Sequence, residues 1–281
     1  EGSWWYAAPV NALSLNDNCI DFIITPGRLG KPASVKTYPE TNYISYLNNS
    51  KTVRQTNNIK KISVIRDWKN KKNNFTISGN LHHNATPDTL RRNIENPSLY
   101  TGTIFKKLLK KYDVPVKQVS TLSATKKGAQ IASHSSKGLL HSSKNLMNES
   151  DNLTAELFIK KIGSINNNQG NWENGLSKMK SFLNDSVGID TTRIRIADGS
   201  GLSRYNLVST SEITQFLEWI FKSEYKKDFI SCLPNGGMKK GTMESRLNTA
   251  GDRIRVKTGG LSGVTNISGY IFSNKYGPIA F

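Results

Sequence analysis

The sequence predicts a mixed α/β fold in two parts, and three observations carry that expectation. In the first part, Ile59 to Arg66 and Asn74 to Leu81 alternate apolar and polar residues, as half-buried strands do. In the second part, Asn152 to Ile162, Trp172 to Leu183 and Ser209 to Phe221 carry helical periodicity. Near the end, Arg253 to Thr258 and Val264 to Phe272 read as strands joined by the tight Gly259-Gly260-Leu261-Ser262-Gly263 connection, a hairpin by pattern. The expected boundary lies near Gly128, giving a β-rich part over 1–127 and a mixed part over 128–281.

Taken in order, Ala12 to Asn16 and Cys19 to Ile24 read as strands around an Asn-Asp-Asn turn, and Pro26-Gly27 ends the second. Thr89 to Ile94 and Ser98 to Tyr112 read as helices. In the latter, Leu99, Ile104, Leu108 and Leu109 form an apolar stripe behind Pro97. Gln118 to Ser136 is expected to be extended, with Ile131-Ala132-Ser133 returning to a core. Ser209 or Ser211 is the expected cap of the last helix, with Glu212 as an early acid.

A chain of 281 residues can bury a good core and hold about two domains. A mean hydropathy of -0.50 fits a soluble protein, and no apolar run approaches the roughly 20 residues of a membrane helix. The chain opens Glu1-Gly2-Ser3-Trp4-Trp5, with no Met and no basic-then-apolar stretch, and Gly277 to Phe281 reads as a strand just begun. Both ends therefore read as cut, and the expectation is an internal fragment. The net charge of +18 favours anionic partners, an acidic wall polymer or membrane surface among them. The lysines are dispersed, without zinc spacing, RNA-binding aromatic motif or basic arm, so nucleic acid is not expected. Cys19 and Cys232 read as buried free thiols, and the four histidines have no ligand-like company, so no metal site is expected.

Two tripeptides carry the chemistry. Lys257-Thr258-Gly259 ends a strand whose edge can pair with an extended peptide. There Lys257 offers charge to a substrate carboxylate, Thr258 adds a hydrogen-bond donor, and Gly259 and Gly260 leave room for a ligand against the backbone. Ser150-Asp151-Asn152 is a helix start, with Ser150 as cap and Asp151 near the positive end of the helix dipole. Its functional reading gives Ser150 a proton-shuttle role towards a leaving amine, and gives Asn152 hydrogen bonds to the substrate amide and the catalytic lysine. Alone, each tripeptide also fits an ordinary strand exit or helix cap. In this order they are two of the three motifs of penicillin-binding proteins and class A β-lactamases, the third being Ser-x-x-Lys with the nucleophile.

Asp198-Gly199-Ser200-Gly201-Leu202-Ser203-Arg204-Tyr205-Asn206 narrows the choice. With Ser150 to Glu156, Val256 to Val264, Trp5 to Pro9, Ala12 to Ser14 and Asn96 to Tyr100, it makes nearly the whole chain resemble one family. That family is the D-alanyl-D-alanine carboxypeptidase/endopeptidases of the low-molecular-mass class C penicillin-binding proteins, the penicillin-binding protein 4 type. Residues 28 to 75 are the least distinctive. The resemblance implies a partial serine transpeptidase fold, helices packed on an antiparallel sheet, with 1–127 the remainder of a β-rich inserted domain. It implies a serine acyl-transfer enzyme that needs no cofactor and acts on peptidoglycan stem peptides in the periplasm or extracytoplasmic envelope. β-Lactam antibiotics would be further ligands. Alternative readings are a non-catalytic wall-peptide binder that has lost its serine, and a class A-like β-lactamase.

The nucleophile is expected before Glu1, because in this family the insertion falls between Ser-x-x-Lys and Ser-x-Asn. Three internal Ser-x-x-Lys matches exist. Ser177/Lys180 and Ser223/Lys226 follow the Ser-x-Asn motif, the wrong order, and Ser123/Lys126 sits in a Thr/Lys-rich stretch without helical pattern. The fragment alone is therefore expected to be inactive.

Overall fold

The computed structural model describes residues 2–54, 60–122, 129–167 and 169–281. The chain divides into two compact units, Glu1–Ala129 and Gln130–Phe281.

The first unit holds strands β1 (Cys19–Thr25), β2 (Ser34–Tyr38), β3 (Ser45–Val53), β4 (Ser63–Arg66), β5 (Asn74–His82) and β6 (Asp88–Asn93), then helix α1 (Pro97–Lys110). One antiparallel sheet runs β2-β1-β6; the other runs β3-β5-β4, with β3 parallel to β5 and β4 antiparallel to it. Alternate residues Ile20, Phe22 and Ile24 of β1 meet Val64, Phe75, Ile77, Tyr100 and Ile104 in one core. The Phe22 and Phe75 rings are 4.9 Å apart, and the buried Tyr100 hydroxyl donates to the Cys19 carbonyl at 2.9 Å. Asn96 caps α1 by accepting from the Leu99 amide.

Two expectations for this unit fail. Thr89 to Ile94 is strand, not helix: its backbone is taken up by the ladder with β1, from Cys19 opposite Asn93 to Ile24 opposite Asp88. Its arginines bind across strands, Arg91 to Asp21 at 2.7 Å and Arg92 to the Val64 carbonyl at 2.6 Å. Ala12 to Asn16 is a turn, not a strand. Asn16, Asp17 and Asn18 all have positive φ, and the buried Asn18 amide holds the Pro9 carbonyl at 2.8 Å and Ser14 Oγ at 3.0 Å, away from any ladder.

The second unit holds α2 (Leu139–Glu149), α3 (Asn152–Gly163), α4 (Trp172–Asp185), α5 (Thr210–Lys222), α6 (Lys226–Cys232) and strands β7 (Ile254–Leu261), β8 (Val264–Ser273) and β9 (Gly277–Ala280). The strands form an antiparallel sheet in the order β7-β8-β9. Ser209 caps α5 in a capping box with Glu212, whose carboxyl the Ser209 hydroxyl and amide pull below the usual range. α3 and α4 pack closely enough that a Cβ on Gly175 would lie 2.1 Å from the Ile159 carbonyl. Ile131 does not return to a core; it is 98% exposed. Cys19 and Cys232 are both buried.

Candidate active site

The Ser150 segment is a joint between two helices. Ser150 ends α2 in a left-handed conformation (φ 57), and the following Asp151 amide still bonds back to the Leu146 carbonyl at 3.1 Å. Asp151, not Ser150, is the cap of α3: its carboxylate accepts from the Leu153 amide at 3.1 Å and from the Thr154 hydroxyl. The expected cap is thus displaced by one residue. A carboxylate one position on serves the helix, which leaves the Ser150 hydroxyl free for another partner. Asn152 opens α3 directly behind this cap.

That partner is Lys257, 107 residues further along the chain. Its Nζ donates to Ser150 Oγ at 2.9 Å and to the Thr258 carbonyl at 2.6 Å. β7 brings it there by strand alternation. Ile254, Val256 and Thr258 fall in the buried set, and Arg255, Lys257 and Gly259 in the less buried one. Burial pulls the Lys257 ammonium below its ordinary range, so the amine gives up its proton more readily than a surface lysine does. The register sets Lys257 opposite Ser268 and Gly259 opposite Asn266. A Cβ at Gly259 would stand 2.4 Å from Asn266 Oδ1, so only glycine fits unless Asn266 turns away; beside Gly260 there is open space.

The loop of residues 198–206 is tied at both ends. Glu156 of α3, buried at 8% exposure, accepts from the Ser200 amide at 2.9 Å, the Gly199 amide at 3.2 Å and the Trp172 indole at 2.6 Å. Asp198 folds the loop on itself by accepting from the Gly201 amide at 2.8 Å, the Ser203 amide at 2.6 Å and the Asn206 side chain at 2.8 Å. At the far end Arg204 donates to the Ser262 carbonyl, in the turn after β7, at 2.6 Å.

Sequence reasoning brought Ser150, Asn152 and Lys257 forward, and the structure joins Ser150 to Lys257. Glu156 and Arg204 lay inside quoted stretches but carried no assigned role. Apart from the Trp172 indole, their partners are main-chain amides and a carbonyl, which leave no trace in residue types.

Neither described Ser-x-x-Lys match is a nucleophile helix start. Ser177 lies inside α4. Ser223 follows α5 and donates to the Ile220 carbonyl at 2.8 Å, while Lys226 lies over the Phe221 ring at 3.5 Å. Ser123/Lys126 lies outside the described residues.

The structure is similar to that of penicillin binding protein 4 from Haemophilus influenzae, with a TM-score of 0.80 and 23% identity, over 99% of this chain and 62% of that one. A second structure of that protein, complexed with a β-lactam, matches with a TM-score of 0.78 and 24% identity, over 98% and 63%. The fold is therefore that of a penicillin-binding protein. Among curated proteins, a D-alanyl-D-alanine carboxypeptidase from Actinomadura sp. (strain R39) is 28% identical over 301 residues, 99% of this chain and 55% of that protein. Residues 3–281 match the D-Ala-D-Ala carboxypeptidase 3 (S13) family, and the chain belongs to that family. It spans about half the length of the curated relatives it matches.

Proposed function

We propose that the protein is a serine D-alanyl-D-alanine carboxypeptidase/endopeptidase that cleaves peptidoglycan stem peptides through an acyl-enzyme and is acylated by β-lactams. The observation that carries this is the 2.9 Å contact between Lys257 Nζ and Ser150 Oγ, which unites the two motifs of the family in one place. In this reading a nucleophilic serine outside these 281 residues attacks the carbonyl between two D-alanines. The C–N bond breaks, the leaving amine takes its proton through the Ser150 hydroxyl, and water later releases the acyl group. The Lys257 ammonium binds the terminal carboxylate of the peptide, or that of penicillin, with Thr258 adding its hydroxyl. Asn152 orients the substrate amide. Gly259 and Gly260 let the peptide lie along the β7 edge. The substrate places the protein outside the cytoplasm. Residues 1–127 are read as the remainder of an inserted domain and 128–281 as part of the catalytic domain. The basic surface, at +18, suits peripheral contact with an anionic wall or membrane.

The test is acylation of the whole protein by a labelled penicillin. Wild type should be labelled, and Lys257→Ala should lose about 100-fold or more in acylation rate, as expected for loss of the charged partner of the substrate carboxylate. Unchanged labelling of Lys257→Ala would remove Lys257 from the site. A whole protein that binds penicillin reversibly without labelling would be a binder rather than an enzyme.

A further inference from the structure

The site has a tie that the acyl-transfer chemistry does not require. Glu156 is a buried carboxylate that receives three N–H donors, from Trp172, Gly199 and Ser200. Burying an ionised carboxylate is costly unless donors of this kind compensate it, so the arrangement holds only with the loop seated on α3. Gly199 seats it closely: a Cβ there would stand 2.4 Å from Ile159 Cγ1 and 2.9 Å from the Ala155 carbonyl, both on α3. From this anchor Asp198 stiffens the loop, and Arg204 carries it to the Ser262 carbonyl at the end of the β7–β8 hairpin. A path of hydrogen bonds and loop backbone thus leads from the helix behind Ser150 and Asn152 to the turn behind Lys257, Thr258, Gly259 and Gly260.

We infer that Glu156 is a positioning residue: through the loop of residues 198–206 it holds the α2–α3 joint in register with the β7–β8 turn. Its consequence for catalysis rests on the functional reading above; its consequence for the turn does not. Glutamine at 156 would set an amide N–H2 among three N–H donors, so at least one tie must open while the size of the side chain is kept. The opening should travel along the loop to the turn.

The experiment is hydrogen exchange by mass spectrometry on the whole protein, with penicillin acylation measured on the same samples. In Glu156→Gln, exchange should rise about tenfold both in 198–206 and in 259–265, with β5 unchanged. Arg204→Ala, an exposed position, should raise exchange in 259–265 alone. The double variant should exchange at the turn no faster than the quicker single one, because both act through one path. Acylation should slow about tenfold in each single variant, and the two losses should not multiply. The inference is overturned if the turn is unaffected in Glu156→Gln, or if the two acylation losses multiply. If wild type is not acylated, the functional reading fails and the exchange result still decides the positioning role. Should Glu156→Gln not fold, Trp172→Phe removes one donor and keeps the charge; an unchanged turn in that variant would equally sink the inference.

Discussion

The two units are held together by different means. In Glu1–Ala129, β1, β4, β5 and α1 feed one cluster of buried side chains, from Ile20 to Ile104. In Gln130–Phe281 most of the buried apolar residues fall into separate clusters around Ile189, Leu217 and Val256. The same unit carries polar ties: Glu156 to the 198–206 loop, Arg204 to Ser262, and Lys257 to Ser150. Apolar burial is non-directional and tolerates small shifts, whereas a hydrogen bond fixes distance and angle. The difference is therefore in the apolar part: the first unit joins its buried ties, Asn18, Arg66, Arg92 and Asn93 among them, to one continuous core, whereas the unit with the candidate site has small clusters, so its hydrogen bonds carry more of the geometry.

That contrast can be broken by mutation. The largest effect is expected in the first unit, where Phe75→Ala should cost about 4 kcal/mol in urea unfolding, because a closed core cannot refill the space of a ring. In the second unit Leu217→Ala should cost only about 2 kcal/mol, since a small cluster with half-buried neighbours collapses around the gap. Equal losses would mean that the second unit has a continuous core after all. Smaller again is Asn171→Ala, which removes the α4 cap that accepts the Asn174 amide at 2.9 Å; it should cost about 1 kcal/mol. The smallest effect is that of pH. Burial depresses the folded Lys257 value below its ordinary 10.5, so the unfolded chain binds more protons between the two values. Stability should rise with pH across that window and be lost as pH falls through the folded value. Lys257→Met should flatten that part of a Tm-against-pH curve, and an unaltered slope would show that Lys257 titrates as a surface lysine does.

How far the fold could be read from the sequence followed the same division. β1, β5, α1, α3, α4, α5 and the β7–β8 hairpin carried periodicity or caps of their own and could be read directly. Residues 89–94 could not: the four-residue spacing of Leu90 and Ile94 suits a helix, and only pairing with β1 makes the segment a strand. β2 and β3 escaped because Asn and Lys dilute their alternation, as in Ser45–Val53. α2 escaped because it buries no residue that would mark a stripe. At the site the residue types announced Ser150, Asn152 and Lys257, whereas the roles of Glu156 and Arg204 depend on where main-chain groups point.

The left-handed backbone at Ser150 limits what else could stand there. Glycine and asparagine suit that conformation better than serine does, but neither brings a hydroxyl to Lys257. Threonine brings the hydroxyl, yet its branched β-carbon is a poor fit to positive φ. At this position, then, the two hydroxyl amino acids are told apart by a torsion angle rather than by their chemistry. A Ser150→Thr exchange that looks conservative on paper should prove among the least tolerated in the joint.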